Sequence, residues 1–296
     1  MPYYKFANIV FKIKQDYKLH NDKLNSFLIR NSGYFDISVT MNGSNFIAEP
    51  TGNIKINEPI NDGIRLLLAC EEGNDLSFFL EREISNTILC RLDVDRAWEN
   101  ASIKYLNSEP LFEYYALGVL GNLLIRNKII FFNGLVIHSS AIIHNNRGII
   151  FTAPSGTGKS THSVLWEKYY NARVINDDCP PIRFFNGMPY VFGTPWSGST
   201  DKFCNESAPL SAIVILEQSK TNSIRKIKPE KCATLLIPRC YMPYYDSRMM
   251  NTAMNTLEEI IKAVPIYILK CRPDKEAADL VYQAVVNNWY EGQSNI

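Results

Sequence analysis

The chain has 296 residues, 46% of them hydrophobic, enough apolar content to bury one large core or two smaller ones. With 31 basic against 30 acidic side chains, no global field draws it toward nucleic acid or an anionic membrane, so any polyanion site must be local. The seven cysteines, Cys70, Cys90, Cys179, Cys204, Cys232, Cys240 and Cys271, are scattered and lack the paired short spacings of zinc sites, which predicts reduced thiols in a cytoplasmic protein.

The first residues, M-P-Y-Y-K-F-A-N-I-V-F-K-I-K, interleave lysines with apolar residues and so lack the unbroken apolar core of a signal peptide. No apolar run reaches about 18 residues, and a soluble chain with no membrane span is expected. Alternation at 7–14 and at Phe35, Ile37, Val39 and Met41 predicts half-buried strands. Further strands are expected at 76–80 and 86–92, separated by turn-rich stretches such as E-P-T-G-N and E-E-G-N-D. Residues 1–105 therefore read as a β-rich N-terminal module. Ser108 then caps a predicted helix with Pro110 in its first turn and Phe112, Tyr115, Val119, Leu123 and Leu124 at helical spacing, opening a second domain over 106–296.

From Ile129 the texture changes to apolar runs broken by N-G and H-N-N-R-G, which is turn chemistry. The run at 148–152 leads into A-P-S-G-T-G-K-S-T, followed by a helix over 161–170 that ends near Asn171. Then come a strand ending at Asn176, a polar loop containing G-T-P-W-S-G, and an apolar strand at 212–216. A helix capped from Asp246 carries Met250, Ala253, Met254, Leu257, Ile260 and Ile261 on one face. A strand at 266–270 precedes a last helix, which starts after Pro273 and Asp274 and carries Val281, Ala284, Val285 and Trp289.

The chemistry concentrates between 138 and 198. Residues 153–160 match the phosphate-loop pattern except that Ala153 replaces its first glycine. Gly156 and Gly158 allow backbone conformations in which Ser155, Gly156, Thr157, Gly158, Lys159, Ser160 and Thr161 cradle phosphates with their N–H groups at a helix N-terminus. Lys159 supplies a point charge for the β and γ oxygens, and the Ser160 hydroxyl is placed for Mg²⁺, so ATP and Mg²⁺ are the expected cofactors. Eighteen residues after Lys159, Asp177 and Asp178 close an apolar run, where one carboxylate can hold Mg²⁺ and the other accept the proton of an attacking hydroxyl. By pattern alone His138 is a core histidine in an apolar run. His162, on the first turn of the loop helix, either reaches a nucleotide or acceptor or faces solvent. His20 and His144 lie near turns and carry no expected role. The G-T-P-W-S-G stretch, with Thr194, Trp196 and Ser197, reads as an acceptor-facing loop or as an ordinary turn around a packed tryptophan.

The run H-S-S at 138–140, a short hairpin, S-G-T-G-K-S-T and I-N-D-D together resemble the kinase domain of HPr kinase/phosphorylase and, more distantly, ATP-dependent phosphoenolpyruvate carboxykinase. The closest likeness is to HPr-kinase-like proteins of peptide-modification clusters, where T-H-x-x-L-W follows the loop, as at Thr161, His162, Leu165 and Trp166, and G-T-P-W-x-G comes later. The resemblance covers about residues 130–220. It implies an α/β, phosphoenolpyruvate carboxykinase-like P-loop kinase domain, with Asp177 as general base, Asp178 as metal ligand and His138 beside the acceptor site. The two Asp roles are exchangeable. It also implies phosphoryl transfer to a hydroxyl acceptor, a Ser or Thr of a peptide or small protein, received among the phosphate loop, His138, His162, Thr194, Trp196 and Ser197, with no nucleic-acid or membrane partner and with a homo-oligomer allowed. HPr kinases carry a glutamate and R-G-x-G after the Asp pair, so HPr itself is not the expected acceptor. Related sequences place lysines where this chain has Cys179 and Ser199. Two other readings are a small-metabolite kinase and a nucleotide-dependent peptide-binding module.

Overall fold

The computed structural model describes residues 1–15, 22–30, 33–61, 63–70, 75–112, 114–198 and 200–287. His20, Ser199, Trp289 and the turn at 71–74 lie outside them. The chain divides into two compact units, Met1–Lys128 and Ile129–Ile296, each with mixed or sheet-rich architecture and its own buried core.

The first unit is built on nine strands: β1 Tyr3–Phe6, β2 Ile9–Gln15, β3 Leu28–Ile29, β4 Ile37–Ser44, β5 Asn53–Asn61, β6 Ile64–Cys70, β7 Leu76–Arg82, β8 Thr87–Val94 and β9 Asn100–Leu106. They form one sheet in the order β3-β1-β2-β4-β9-β8-β7-β6-β5, parallel at β2/β4 and β4/β9 and antiparallel elsewhere. Strand β4 shows why alternation was informative: Ile37, Val39 and Met41 are buried while the residues between them are half-exposed. A one-turn helix, α1 Asp22–Asn25, lies between β2 and β3.

The expected helix start at Ser108 is displaced. Residues 107–111 are turn and irregular backbone in which Glu109 accepts the Leu111 N–H (3.2 Å) and is engaged by Arg82; Phe112 is already helical, and a π-helical stretch begins at Tyr114. That stretch covers Tyr114–Leu120, and the helical path continues as α2 Gly121–Lys128, then a 3-10 turn, Ile129–Phe132. The apolar run I-I-F-F thus ends a helix. The apolar character of the path is broken by Asn122, Arg126, Asn127 and Lys128, so it is no unbroken apolar run. By length and mean hydropathy alone Tyr114–Phe132 could cross a membrane, and 67% of its apolar window is buried inside the protein, as in the core helix of a soluble protein.

The second unit contains β10 Gly134–Val136, β11 Ser139–His144, β12 Arg147–Thr152, β13 Arg173–Asn176, β14 Pro181–Phe185, β15 Met188–Phe192, β16 Ser207–Gln218, β17 Ser223–Lys226 and β18 Ile266–Cys271. Its helices are α3 Lys159–Tyr170, α4 Pro229–Leu236, α5 Ser247–Ala263 and α6 Lys275–Val281. Strand β16 is the hinge of the sheet: its first residues pair antiparallel with β15, and the rest pair parallel with β12 on one side and β18 on the other. Helix caps follow the sequence, since Asp246 accepts the Met249 N–H (3.0 Å) and Asp274 the Ala277 N–H (3.1 Å). Helices α3 and α6 cover one face, where Trp166, Ala277, Val281 and Val285 pack with Ile149, Phe151, Val214 and Leu269. Helix α5 packs near β10 and β15, burying Met249, Ala253, Thr256, Leu257 and Ile260.

Register explains where the site must fall. Strand β11 lies between β12 and β13 and is antiparallel to both, with Ser139 opposite Thr152 and Ala141 opposite Asn176. The ends of β12 and β13 therefore emerge at the same edge of the sheet, two positions apart along β11. That edge holds the C-terminal ends of the parallel strands, where α/β folds place their ligands.

Candidate active site

The phosphate loop leaves β12 at Ala153 and enters α3 at Lys159. Gly156 and Gly158 take left-handed φ of +74° and +107°, values that side-chain-bearing residues rarely adopt, and Gly158 is the residue before the helix. The loop thereby leads into the positive N-terminal end of a 12-residue helix. Lys159 is buried, at 8% exposure, and its Nζ donates to the Ala153 carbonyl at 3.3 Å; it forms no ion pair among the described residues. Burial pulls its ammonium below the usual lysine range, and the charges of Asp178 and Cys179 only partly restore it while that of Arg239 opposes them. A buried cation short of counter-charge at a helix N-terminus is suited to a polyanion, so the donor set fits a triphosphate.

Asp177 and Asp178 follow β13 directly and face the loop across a cleft of about 370 Å³. The cleft is lined by Ser155, Gly156, Gly158, Lys159, Ser160 and Thr161 on the loop side and by His138, Asp177, Asp178 and Gly198 on the other. The two carboxylates have different surroundings. Asp177 is buried, and its oxygens accept from the Gly198 N–H, the Thr200 N–H (2.9 Å) and the Thr200 hydroxyl. Asp178 is about one-third exposed, lies 3.4 Å from His138 Nε2 through Oδ1, and accepts the Cys179 thiol at 2.7 Å through Oδ2. Tyr241 Oη lies 3.3 Å from the same sulfur. Among the described residues no group of three or more His, Cys, Asp or Glu is gathered as an all-protein metal site. Mg²⁺ does not require one, because one or two carboxylates, a hydroxyl and phosphate oxygens complete its shell.

No family model and no curated protein matches the chain. Among solved structures, the HPr(Ser) kinase/phosphatase from Coxiella burnetii is similar, with a TM-score of 0.32 and 11% identity over 54% of this chain and 98% of that one. Similarity of that depth carries no functional weight here; the side chains do.

Several expected site residues stand elsewhere. Thr157 turns its N–H back to the Pro154 carbonyl (3.3 Å) and does not line the cleft. His162 is a correction: it neither reaches the cleft nor faces solvent, but is 2% exposed with its ring 4.6 Å from that of Phe151, because the fourth residue of α3 lies on the helix face that packs against β12. The acceptor-loop residues are corrected too. Thr194 is buried, with its carbonyl and hydroxyl both accepting from Asn176 Nδ2. Trp196 is half-buried and its carbonyl accepts from the same amide (2.9 Å), while Ser197 donates to Asp201 (2.9 Å). Of residues 193–198 only Gly198 lines the cleft.

Sequence reasoning missed three contributors. Thr200 holds Asp177, and Asn176 ties residues 194–196 to the carboxylate turn. Arg239 adds a second positive charge near Lys159, its carbonyl accepting the His138 N–H at 2.8 Å. The only signal available for Asn176 was its place in I-N-D-D; Thr200 and Arg239 carried none. The serines of H-S-S are buried and internally bonded, Ser139 to the Ile137 carbonyl (2.9 Å) and Ser140 to the Asn176 carbonyl (3.4 Å).

Proposed function

We propose that this chain is an ATP- and Mg²⁺-dependent phosphotransferase with an HPr-kinase-like, carboxykinase-type phosphate-loop domain, moving the γ-phosphoryl group to a Ser or Thr hydroxyl of a peptide or small protein. The observation that carries this reading is a buried, under-neutralised Lys159 at a helix N-terminus, facing two carboxylates and a histidine across one cleft. The loop N–H groups and Lys159 bind the triphosphate, and the Ser160 hydroxyl with one carboxylate holds Mg²⁺, which supplies charge neutralisation at the transferring phosphate.

The hydrogen bonds favour exchanging the two Asp roles inferred from resemblance. Asp177 spends its lone pairs on Gly198 and Thr200, whereas Asp178 is the more exposed and has His138 beside it. Asp178 then takes the proton from the acceptor hydroxyl as that oxygen bonds to the γ-phosphorus and the bridge to ADP breaks. His138 orients the carboxylate. A cleft of about 370 Å³ shared with a triphosphate leaves little room for an enclosed metabolite, which favours a side chain presented from outside. None of the seven cysteines forms a disulfide among the described residues, which supports the cytoplasmic setting proposed for the chain.

The test is to incubate the protein with ATP, Mg²⁺ and serine-containing peptides, in parallel with free serine and simple polyols, and to follow the added phosphate. Lys159→Ala is expected to lose ATP binding. Asp178→Asn should keep it and lose about 10²- to 10⁴-fold in transfer, with Asp177→Asn less affected. Equal ATP affinity for Lys159→Ala and the unmodified chain would overturn the site.

A further inference from the structure

Asn176 has no part in the chemistry just described, yet its side chain holds the parts of the site together. It ends β13, is fully buried, and uses both ends of its amide. Its Oδ1 accepts the N–H groups of Asp178 (2.9 Å) and Cys179 (2.8 Å), which closes the turn bearing both carboxylates. Its Nδ2 donates to the Thr194 carbonyl (3.2 Å), the Thr194 hydroxyl (3.0 Å) and the Trp196 carbonyl (2.9 Å). Two hydrogens serve three acceptors, so one of these bonds is shared. The same residue's carbonyl accepts the Ser140 hydroxyl (3.4 Å), and Ser140 in turn accepts that of Ser163 (2.7 Å), which stands one turn beyond Lys159 on α3.

We propose that Asn176 is the positioning residue of the site. It sets the two carboxylates in register with the 194–198 segment, which reaches the cleft wall at Gly198, without touching reacting atoms itself. The inference rests on the phosphotransferase reading above. One physical consequence is that this segment is a pre-organised surface and not a lid. It is tied at Thr194 and Trp196 by Asn176 and at Gly198 and Thr200 by Asp177, so closing it onto an acceptor would break bonds to a buried amide and a buried carboxylate. Catalytic geometry is sensitive to such anchoring, since displacement of about 1 Å far from the chemistry can lower a rate about 10²-fold.

The chemistry of the amide separates its two functions. Asn176→Asp retains an acceptor for the two turn N–H groups and removes the donors to 194–196; Thr194→Val removes one acceptor and keeps the fold's apolar volume. Three quantities are measured on the full chain: affinity for a non-hydrolysable ATP analogue with Mg²⁺, kcat and acceptor KM per folded molecule, and amide hydrogen exchange at 194–198. For Asn176→Asp the expected result is unchanged analogue affinity, a kcat lowered about 10²-fold, a raised acceptor KM and faster exchange at 194–198. Thr194→Val should move the same way by a smaller factor, and it decides the matter if Asn176→Asp does not fold. A merely structural asparagine would lower the folded fraction and reduce analogue binding and transfer together, with kcat per folded molecule unchanged; that result overturns the proposal. If the unmodified protein binds ATP but phosphorylates no acceptor, the phosphotransferase reading fails on its own. Exchange at 194–198 then still decides whether Asn176 holds this segment, and unaltered exchange in both variants overturns the inference.

Discussion

Inside the first turn of α3, a single imidazole sets a pH limit on the fold. Burial holds His162 down to about 4, its Nε2 has no hydrogen-bond partner among the described residues, and its ring edge meets Phe151. An unfolded chain would titrate the same group near about 6.5. Between those values the unfolded state binds a proton that the folded state refuses. Stability from this group is therefore complete above about pH 6.5 and is lost as pH falls toward 4, by up to about 3 kcal/mol. His144 adds to the same trend, because burial among Trp166, Tyr170 and Tyr282 also lowers its pKa. Denaturant unfolding at a series of pH values should show this loss in the unmodified chain and a smaller one in His162→Phe, where an aromatic ring remains but no proton can bind. Identical pH slopes would contradict it.

At the scale of elements, two glycine-bearing loops meet at the cleft and use glycine for opposite reasons. In the phosphate loop the need is conformational: Gly156 has a left-handed φ of +74°, with nothing within 4 Å of where a Cβ would sit. In the loop after β15 the need is space. A Cβ on Gly193 would stand 1.8 Å from the Cys204 carbonyl oxygen and 2.7 Å from that of Ile175, and both are backbone atoms. Gly156→Ala should therefore fold, with strain of about 1–2 kcal/mol, and bind the ATP analogue more weakly. Gly193→Ala should lose more than about 4 kcal/mol of stability, because main chain has to move to admit the methyl group. Thermal melts of both variants, with analogue titrations of whichever folds, check this pair of outcomes. The same contrast explains a misreading. G-T-P-W-S-G has the composition of an exposed loop, and composition does not reveal that its first glycine is wedged against the backbone carbonyls of Ile175 and Cys204.

At the scale of the molecule, every residue of the candidate site and the cluster around Phe151, Trp166 and Val214 belong to Ile129–Ile296. A chain beginning at Ile129 is therefore expected to melt cooperatively and to bind the ATP analogue as the full protein does, measured by calorimetry. Loss of binding in a folded fragment would show that the first unit contributes to the nucleotide site. Much of this second unit was legible in the sequence, because its signals are local. Asp246 and Asp274 cap the helices that follow them, Asn171 ends α3 with a φ of +50°, and the phosphate loop needs only a strand before it and a helix after it. The pairing of β11 with β13 was not legible, since it depends on contacts between segments about 30 residues apart; the β14–β15 hairpin, closed locally by Asn186 and Gly187, was a signal left unread. By itself the sequence determined that a strand, a glycine loop of phosphate-loop pattern, a helix and a following carboxylate pair exist, for these are written in contiguous residues whose backbone demands are satisfied within a few positions. Only the tertiary structure decided that His162 points inward, that Asp177 is tied to Gly198 and Thr200 while Asp178 stands beside His138, and that Asn176 joins the two sides. Each of those facts is set by which side chain from a remote strand or loop arrives within hydrogen-bond reach, and no local pattern encodes that distance.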